Sequence, residues 1–542
     1  MLFMPPAEIL QLKPEARKDA GLSQARGFET VLVALLTLGF SMRFWNAASR
    51  FLNADEALHY LLSVQSSFTA TYRASLTTVH PPLLIIFLHY WGTIGRSELF
   101  LRFPPLLAGT AFCWVMFCWL RRVTTYSTAL IALVLLLFSP ALILLSSEVR
   151  QYAFLLLFCA SGLYFLERAI AEDSVSLMLL SSFALYVALL THYSSLIFAL
   201  TLGIYALLRL ISTRPRAGLL AGWVAGQLGA LTLVAFLFFS HISKLQAMNA
   251  MEGLIGSYLR RSVFQPGENH LWFIARANLR LFHYFFSQGA VGAVGLTLFI
   301  CGIVILIRDR NSPHASRYPS SRQLAFLLVF PIVVNCGLAL FRLYPFGGTR
   351  HNSYLAISVI PGIAIPLARW KLRNRWLKPA MIVAVLAVCN LLPSPQGEYI
   401  RAHDQNRKLM AQATASLKSL PPNSIIFTDD QGGLLLSYYL CDRRVVQIEQ
   451  PSFTPLLKAA CGPSAVISID PNRWTFKAGT LPETLASLQR TFNLSPGTPL
   501  WFFQAGWFID KEALLRDELR QAGCSAPQEF GKNIFLCRIT VP

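Results

Sequence analysis

The chain has 542 residues, 54% of them hydrophobic and only 14% charged, where soluble domains run at about 45–50% and about 25%. With a mean hydropathy of +0.49, so little charge cannot cover a soluble surface of this size, and a disordered chain, a coiled coil and a small disulfide framework are excluded as well. The formal net charge of +20 would suggest nucleic acid only if it lay on one soluble face. It does not: from residue 394 onward 15 basic residues stand against 13 acidic ones, leaving 32 against 14 in the first 393. No nucleic-acid partner is expected.

In chain order, residues 1–26 read as a cytoplasmic N-terminal tail carrying Lys13, Arg17, Lys18 and Arg26. Apolar runs long enough to span a bilayer follow at 28–46, 100–120, 127–146, 151–167, 175–191, 194–211, 217–240, 290–308, 323–341, 352–368 and 376–392, about eleven in all. The first, behind a long polar tail and ahead of ten more, reads as a retained anchor rather than a cleaved signal. Basic loops at Arg121-Arg122, Arg214/Arg216, Arg308–Arg322 and Arg369–Lys378 place one end of the bundle in the cytoplasm. The opposite loops and the tail then face outward. That alternation holds only if Pro81–Trp91 does not cross, so this stretch is expected to be an interfacial helix in a large first outer loop.

The remaining 394–542 is expected to be a small extracytoplasmic α/β domain after a transmembrane domain at 27–393. Strand-like runs fall at Ser424–Thr428, Arg444–Ile448, Ala465–Ile469, Leu500–Phe503 and Asn533–Val541, with helical patterns at Gln405–Leu420, Leu481–Phe492 and Lys511–Ala522. The fold class is thus an all-α polytopic protein of the cytoplasmic (inner) membrane, N-terminus inside, with this domain outside. Four cysteines lie in the tail. Proximity favours Cys441–Cys461 and Cys524–Cys537, one of three pairings.

Four polar clusters share the outer side. Asp55 and Glu56 are adjacent just beyond the first span, and carboxylates there carry proton-accepting capacity. Asn53 with Glu56 three residues on also reads as a capping box, which accounts for Glu56 and leaves Asp55 unexplained. His80-Pro81-Pro82-Leu83 precedes Arg102-Phe-Pro-Pro-Leu; the prolines set helix entry, and His80 is either a phosphate contact or a helix cap. Glu148-Val-Arg-Gln-Tyr152 puts Arg150 and Tyr152 at a span end, where Arg150 suits a phosphate, an internal Glu148 pair or snorkelling to the interface. Tyr344-Pro-Phe-Gly-Gly-Thr-Arg-His places Arg350 and His351 after a glycine turn, and His192 ends another span.

These motifs, in this order over about residues 25–370, resemble the C-type membrane glycosyltransferases of the bacterial protein mannosyltransferase-like and aminoarabinose-transferase-like group. The resemblance implies a polyprenyl-phosphate-linked sugar donor and a hexosyl or pentosyl transfer on the extracytoplasmic side, to a protein, lipid or glycan acceptor. It casts Asp55 as the catalytic acidic residue with Glu56 in support, and His80, Arg150, Tyr152, His192, Arg350 and His351 as substrate-binding. Relatives that transfer aminoarabinose carry an acidic residue and a lysine before their Pro-Pro, whereas Val79 and His80 stand here. No metal ligand is carried over, and a divalent cation stays open as a cofactor. The competing readings are a lipid or glycan transporter or flippase with a sensing domain, which calls for ionisable groups in mid-span, and a non-catalytic receptor whose tail binds a partner.

Overall fold

Every apolar run expected to span is helical. In the computed structural model the described residues are 14–247, 259–309, 317–370, 377–392, 405–441, 448–449, 456–469, 479–506, 512–531 and 533–542. The helical half comprises α1 (Pro14–Ser49), α2 (Ala54–Ser63), α3 (Phe68–Ser75), α4 (Leu83–Ile94), α5 (Glu98–Val123), α6 (Tyr126–Phe138), α7 (Pro140–Ser146), α8 (Tyr152–Glu172), α9 (Val175–Thr191), α10 (Ser195–Thr213) and α11 (Ala217–Leu237). After a π turn at Phe238–Ile242 come α12 (His270–Phe286), α13 (Gly289–Arg308), α14 (Ser321–Leu340), α15 (Ala356–Arg369, preceded by the 3-10 turn Arg350–Leu355) and α16 (Leu377–Leu391). Among the described residues, eight helices are long and apolar enough to cross a membrane, and the bent pair α6–α7 makes a ninth. α9 and Ala380–Leu391 are shorter apolar helices. The chain is a multi-pass membrane protein. Large apolar side chains such as Leu231, Phe236 and Phe239 on the α11 run lie exposed along its flank, as a lipid-facing surface requires. The run Pro81–Trp91, expected not to cross, falls on α4, twelve residues long.

Two proline breaks are compensated locally. Pro140 has no N–H for the Leu136 carbonyl, and α6 and α7 bend by 62° there. Arg43 of α1, fully buried, fills the gap, donating to Leu136 O (3.1 Å) and Leu137 O (2.7 Å), while Asn390 donates to Phe138 O (2.8 Å). Within α5, Pro104 cannot donate to the Phe100 carbonyl, and the Trp91 indole of α4 does so instead at 2.9 Å. That bond fixes α4 beside the first turn of α5.

Beyond the spans, α17 (Arg407–Lys418), α18 (Asp430–Tyr439), α19 (Leu481–Phe492) and α20 (Glu512–Gln521) pack with a seven-stranded sheet of order β2-β3-β4-β1-β5-β7-β6. Its strands are β1 (Ile425–Thr428), β2 (Ile448–Glu449), β3 (Leu456–Cys461), β4 (Ser464–Ile469), β5 (Pro499–Gln504), β6 (Gln528–Gly531) and β7 (Ile534–Thr540). β4, β1 and β5 run parallel at the centre, and the outer pairs are antiparallel. The expected strands at 424–428, 465–469, 500–503 and 533–541 and all three expected helices are present. The run at Arg444–Ile448 lies outside the described residues apart from Ile448. β3, β6 and α18 are additional: Leu-Leu-Lys-Ala-Ala-Cys has little strand propensity, and pairing with β4 along its whole length overrides it. Both disulfides, Cys441–Cys461 and Cys524–Cys537, are formed as expected. Residues 14–26, expected in a polar tail, already belong to α1.

The sheet part is not a separate ball on a tether. Phe51 and Ala57, from the first loop of the helical half, are buried in the same apolar cluster as Met410, Leu435 and Leu436.

Candidate functional site

The short helix α2 organises the site. Its N-cap is Asn53, whose side chain accepts from Glu56 N–H at 2.9 Å while Glu56 Oε2 accepts from Asn53 N–H at 2.9 Å, a complete capping box. Arg102 of α5 then grips the same carboxylate with Nε at 2.8 Å from Oε1 and a terminal nitrogen at 2.6 Å from Oε2. Its other donors reach the carbonyls of Ala47 (2.7 Å), Arg50 (2.7 Å) and Phe51 (2.9 Å), the orphan acceptors at the end of α1. Glu56 Oε1 also accepts from Val149 N–H at 2.7 Å, and one turn further on His59 Nδ1 lies 3.2 Å from Val149 O. Glu56 is fully buried with both oxygens occupied. Its geometry is that of a cornerstone joining α1, α2, α5 and the turn before α8.

Asp55 points the other way. Its Oδ2 lies 2.7 Å from Arg150 and 3.0 Å from Arg350, so one carboxylate oxygen bridges two guanidinium groups from turns 200 residues apart in the chain. At 28% side-chain exposure it is the most open of the three, against 6% for Arg150 and 14% for Arg350. Arg150 thus pairs with Asp55, while Glu148 Oε2 has no hydrogen-bond partner among the described residues. Arg350 begins the 3-10 turn after Gly347, whose φ of 115° suits glycine and where a Cβ would lie only 3.2 Å from the Ala277 carbonyl oxygen. Asn352 holds that turn by donating to Gly347 O (3.2 Å) and Thr349 Oγ1 (3.0 Å).

Around the Asp55 bridge stand three imidazoles and a phenol. The His80 ring centre is 5.2 Å from that of His192 and 6.5 Å from that of His351, and His192 and His351 are 5.8 Å apart. The Tyr152 ring is 5.2 Å from His192, with the Arg150 guanidinium 5.6 Å from its centre. His59, 6.1 Å from His80, extends the group. The structure therefore gathers Asp55, His80, Arg150, Tyr152, His192, Arg350 and His351 into one cluster, and Glu56 lies directly beneath it. The π turn contributes at its edge: His241 sits 2.6 Å from Tyr193 OH and 2.8 Å from the Thr78 carbonyl, tying α11 to the loop that carries His80.

Three members of this neighbourhood were not singled out as site residues by the sequence. His59 was legible as the residue three and four positions beyond the acidic pair, on the same helical face. Arg102 and Glu148 stood inside motifs already noted, but nothing in their spacing told which carboxylate each would meet.

Electrostatics divide the group sharply. Burial pushes the Asp55 carboxyl up, but the Arg150 and Arg350 charges outweigh it and hold it below the usual carboxylate range. Burial, then the Arg150 charge, takes His192 down to about 3, and burial and Arg150 do the same for His59. His80 lies well below its ordinary value through burial and the neighbouring His192. These imidazoles are neutral. Because Ser194 N–H donates to His192 Nδ1 at 3.1 Å, the ring carries its proton on Nε2, which has no partner among the described residues. Glu148 goes up to about 7 through burial and the Glu56 carboxylate.

The arrangement can accept a proton at Asp55, bind a phosphate through two planar guanidinium groups, and donate from a neutral imidazole. Among the described residues no three His, Cys, Asp or Glu side chains are disposed to hold a metal ion.

A family model described as dolichyl-phosphate-mannose-protein mannosyltransferase matches residues 79–242, a segment containing His80, Arg102, Arg150, Tyr152 and His192. No curated protein matches the chain in sequence. Among solved structures, ArnT from Cupriavidus metallidurans bound to undecaprenyl phosphate aligns with a TM-score of 0.52 at 13% identity, covering 95% of this chain and 98% of that one. The same protein in the apo state gives 0.52 at 12% identity, over 94% and 98%. The archaeal oligosaccharyltransferase AglB from Archaeoglobus fulgidus, in complex with an inhibitory peptide and a dolichol-phosphate, aligns with a TM-score of only 0.41 at 11% identity, over 76% of this chain and 64% of that chain. The chain shares the ArnT fold over 95% of its length, and the resemblance to C-type membrane glycosyltransferases is borne out in that fold and in the matched segment.

Proposed function

We propose that this protein is a membrane glycosyltransferase that moves a sugar from a polyprenyl-phosphate donor to an acceptor hydroxyl or amine on the extracytoplasmic face, with Asp55 as general base. The observation that carries the reading is the single Asp55 oxygen between Arg150 and Arg350, 2.7 and 3.0 Å away. A proton acceptor and two phosphate-shaped cations at one point are what attack on an anomeric carbon with a phosphate leaving group calls for. The matched family description and the undecaprenyl phosphate bound in ArnT support the donor class.

The chemistry follows from the charges. In the free protein the arginines hold Asp55 as a weak base. A donor phosphate entering the site draws both guanidinium groups to its own oxygens, and their hold on Asp55 weakens. The carboxylate then gains basicity when an acceptor proton has to be taken. As the anomeric C–O bond to phosphate breaks, charge accumulates on the leaving oxygen, where Arg150 and Arg350 stabilise it and the His192 Nε2–H can donate. His80, His351 and Tyr152 line the same space. One displacement by the acceptor inverts the anomeric centre. A double displacement calls for a second free carboxylate nearby, and Glu56, with both oxygens engaged, serves instead to hold α2.

The charged groups buried along the spans, Arg43 and the Glu167–Arg209 pair, are bonded to backbone carbonyls and to each other. They give the transporter reading no support. The direct test is transfer from radiolabelled undecaprenyl-phosphate sugars to candidate acceptors by purified wild type and Asp55→Asn, with the anomeric configuration of the product read by NMR. Equal transfer by both proteins removes Asp55 as base, and a retained configuration removes the single displacement. Activity of a reporter fused after residue 393 on the cytoplasmic side would reverse the orientation.

A further inference from the structure

The segment that delivers Asp55 is held from two sides. Its carbonyl oxygens at Ala47, Arg50 and Phe51 are taken by Arg102 of the bundle. Its N–H groups face the sheet domain: Phe51 N–H donates to Gln405 O at 3.0 Å, and Leu52 N–H donates to the Tyr439 hydroxyl at 2.7 Å. Arg50 and Asn406 form an isolated antiparallel bridge beside them. The Tyr439 hydroxyl in turn donates to Glu98, whose other oxygen lies 2.6 Å from Arg407 of α17. Leu52 is fully buried, one residue before the N-cap Asn53 and three before Asp55.

We infer that the C-terminal domain positions the catalytic loop, and that Tyr439 is the positioning residue that fixes the register of Leu52 and hence of Asp55 against Arg150 and Arg350. This rests on the glycosyltransferase reading for its kinetic consequence but not for its structural one. The proton of Tyr439 goes to Glu98, so its lone pair is aimed at the Leu52 N–H, and no other acceptor there is required to rotate or shift. A backbone amide bound at both neighbouring positions cannot slide along the α1 end without breaking both bonds at once. Tyr438, the preceding residue, makes a useful contrast. Its ring meets Tyr60 edge-on at 5.1 Å and shares an apolar cluster with Leu52, but its hydroxyl donates to Arg96 O at 2.8 Å, whereas the Tyr439 hydroxyl is the one bound to the Leu52 amide.

The test compares Tyr439→Phe with Tyr438→Phe in full-length protein, by steady-state transfer from an undecaprenyl-phosphate sugar and by amide hydrogen exchange of the peptide spanning 50–58. A misplaced base costs turnover without costing donor binding, so Tyr439→Phe is expected to lower kcat roughly tenfold with donor KM within about twofold, and to speed exchange at Leu52. Tyr438→Phe is expected to keep kcat within about twofold and exchange unchanged. Wild-type kcat and exchange in Tyr439→Phe overturn the inference, and so does an equal fall in both variants. If wild type transfers sugar from no lipid-phosphate donor, the functional reading fails while the exchange measurement still decides whether Tyr439 restrains the loop. Should Tyr439→Phe not accumulate, Glu98→Ala removes the acceptor of the Tyr439 hydroxyl and the partner of Arg407. Faster exchange at Leu52 is then expected, and unchanged exchange overturns the inference.

Discussion

Asp55 and Glu56 are neighbours in sequence whose carboxylates answer to different arginines: Glu56 lies 2.6 Å from Arg102 beneath α2, and Asp55 lies 2.7 Å from Arg150 at its open side. One is sealed into the scaffold and the other is presented to whatever enters. Substitution at each should therefore fail in a different way.

Asp55→Asn keeps shape and removes the proton acceptor. Transfer is expected to fall by about 10²–10⁴, the range of general base catalysis, while thermal stability in detergent stays near wild type. Donor binding is expected to hold or tighten, because the arginines no longer have a competing carboxylate. Binding of a labelled polyprenyl phosphate, measured beside turnover, checks both halves.

Glu56→Gln leaves Arg102 buried without its charge partner. Breaking one side of a buried pair costs about 3–5 kcal/mol, so the expected signature is a lowered melting temperature and poor yield. A Glu56→Gln protein with wild-type melting and a selective loss of kcat would instead place Glu56 in the chemistry.

Arg150→Lys and Arg350→Lys retain charge and lose the planar fork. Each is expected to raise donor KM by about tenfold, with a smaller fall in kcat for the partner left in place. Competition by a short-chain polyprenyl phosphate against the labelled donor reads the affinity directly.

The two pH profiles should separate. In the free protein the arginines hold Asp55 below the ordinary carboxylate range, so the acid limb of kcat/KM should lie at low pH. Donor phosphate relieves that field, so the acid limb of kcat, which reports the bound complex, should lie at higher pH. Coincident limbs would show that the arginines are not shared between Asp55 and the donor.

A stability profile tests the sheet domain by itself. Asp429, the N-cap of α18, goes up to about 7 through burial and the adjacent Asp430. An acid whose folded pKa is raised favours folding while protonated, so its contribution is present at low pH and is lost as pH rises from the unfolded value near 4 toward 7. Asp429→Asn keeps the cap to Gly432 N–H, and Gln504 Oε1, without a partner among the described residues, can turn to accept from the new amide. Melting between pH 5 and 8 is expected to become flatter, with the variant about 1–2 kcal/mol more stable than wild type at pH 8. A steeper decline in the variant would contradict the assignment.

Much of this was legible in residue order. Hydrophobic length gave the helical runs, although of the eleven expected to span only eight, or nine with the bent pair α6–α7, are long and apolar enough to cross among the described residues, and the polar groups at the run ends gave the cluster that the fold assembles. The capping box at Asn53 and Glu56 was also readable, because both halves lie within one helical turn. What was not readable depends on partners distant in sequence. Arg102 meets Glu56 across 46 residues, and Tyr439 meets Leu52 across 387. The Trp91 bond to Phe100 exists only because Pro104 vacates that carbonyl, a need that spacing hints at but does not assign. β3 and α18 escaped because their propensities are weak and their neighbours decide them.

The burial of Phe51 and Ala57 in the core of the sheet domain has a consequence for how the protein is made. The first loop leaves the ribosome well before the strands and helices that enclose it, so for much of synthesis that loop lacks its lid. Folding of this region waits for the later stretch of chain, and a protein cut off before the sheet domain would leave an apolar plug exposed, a surface for chaperones and proteases to recognise.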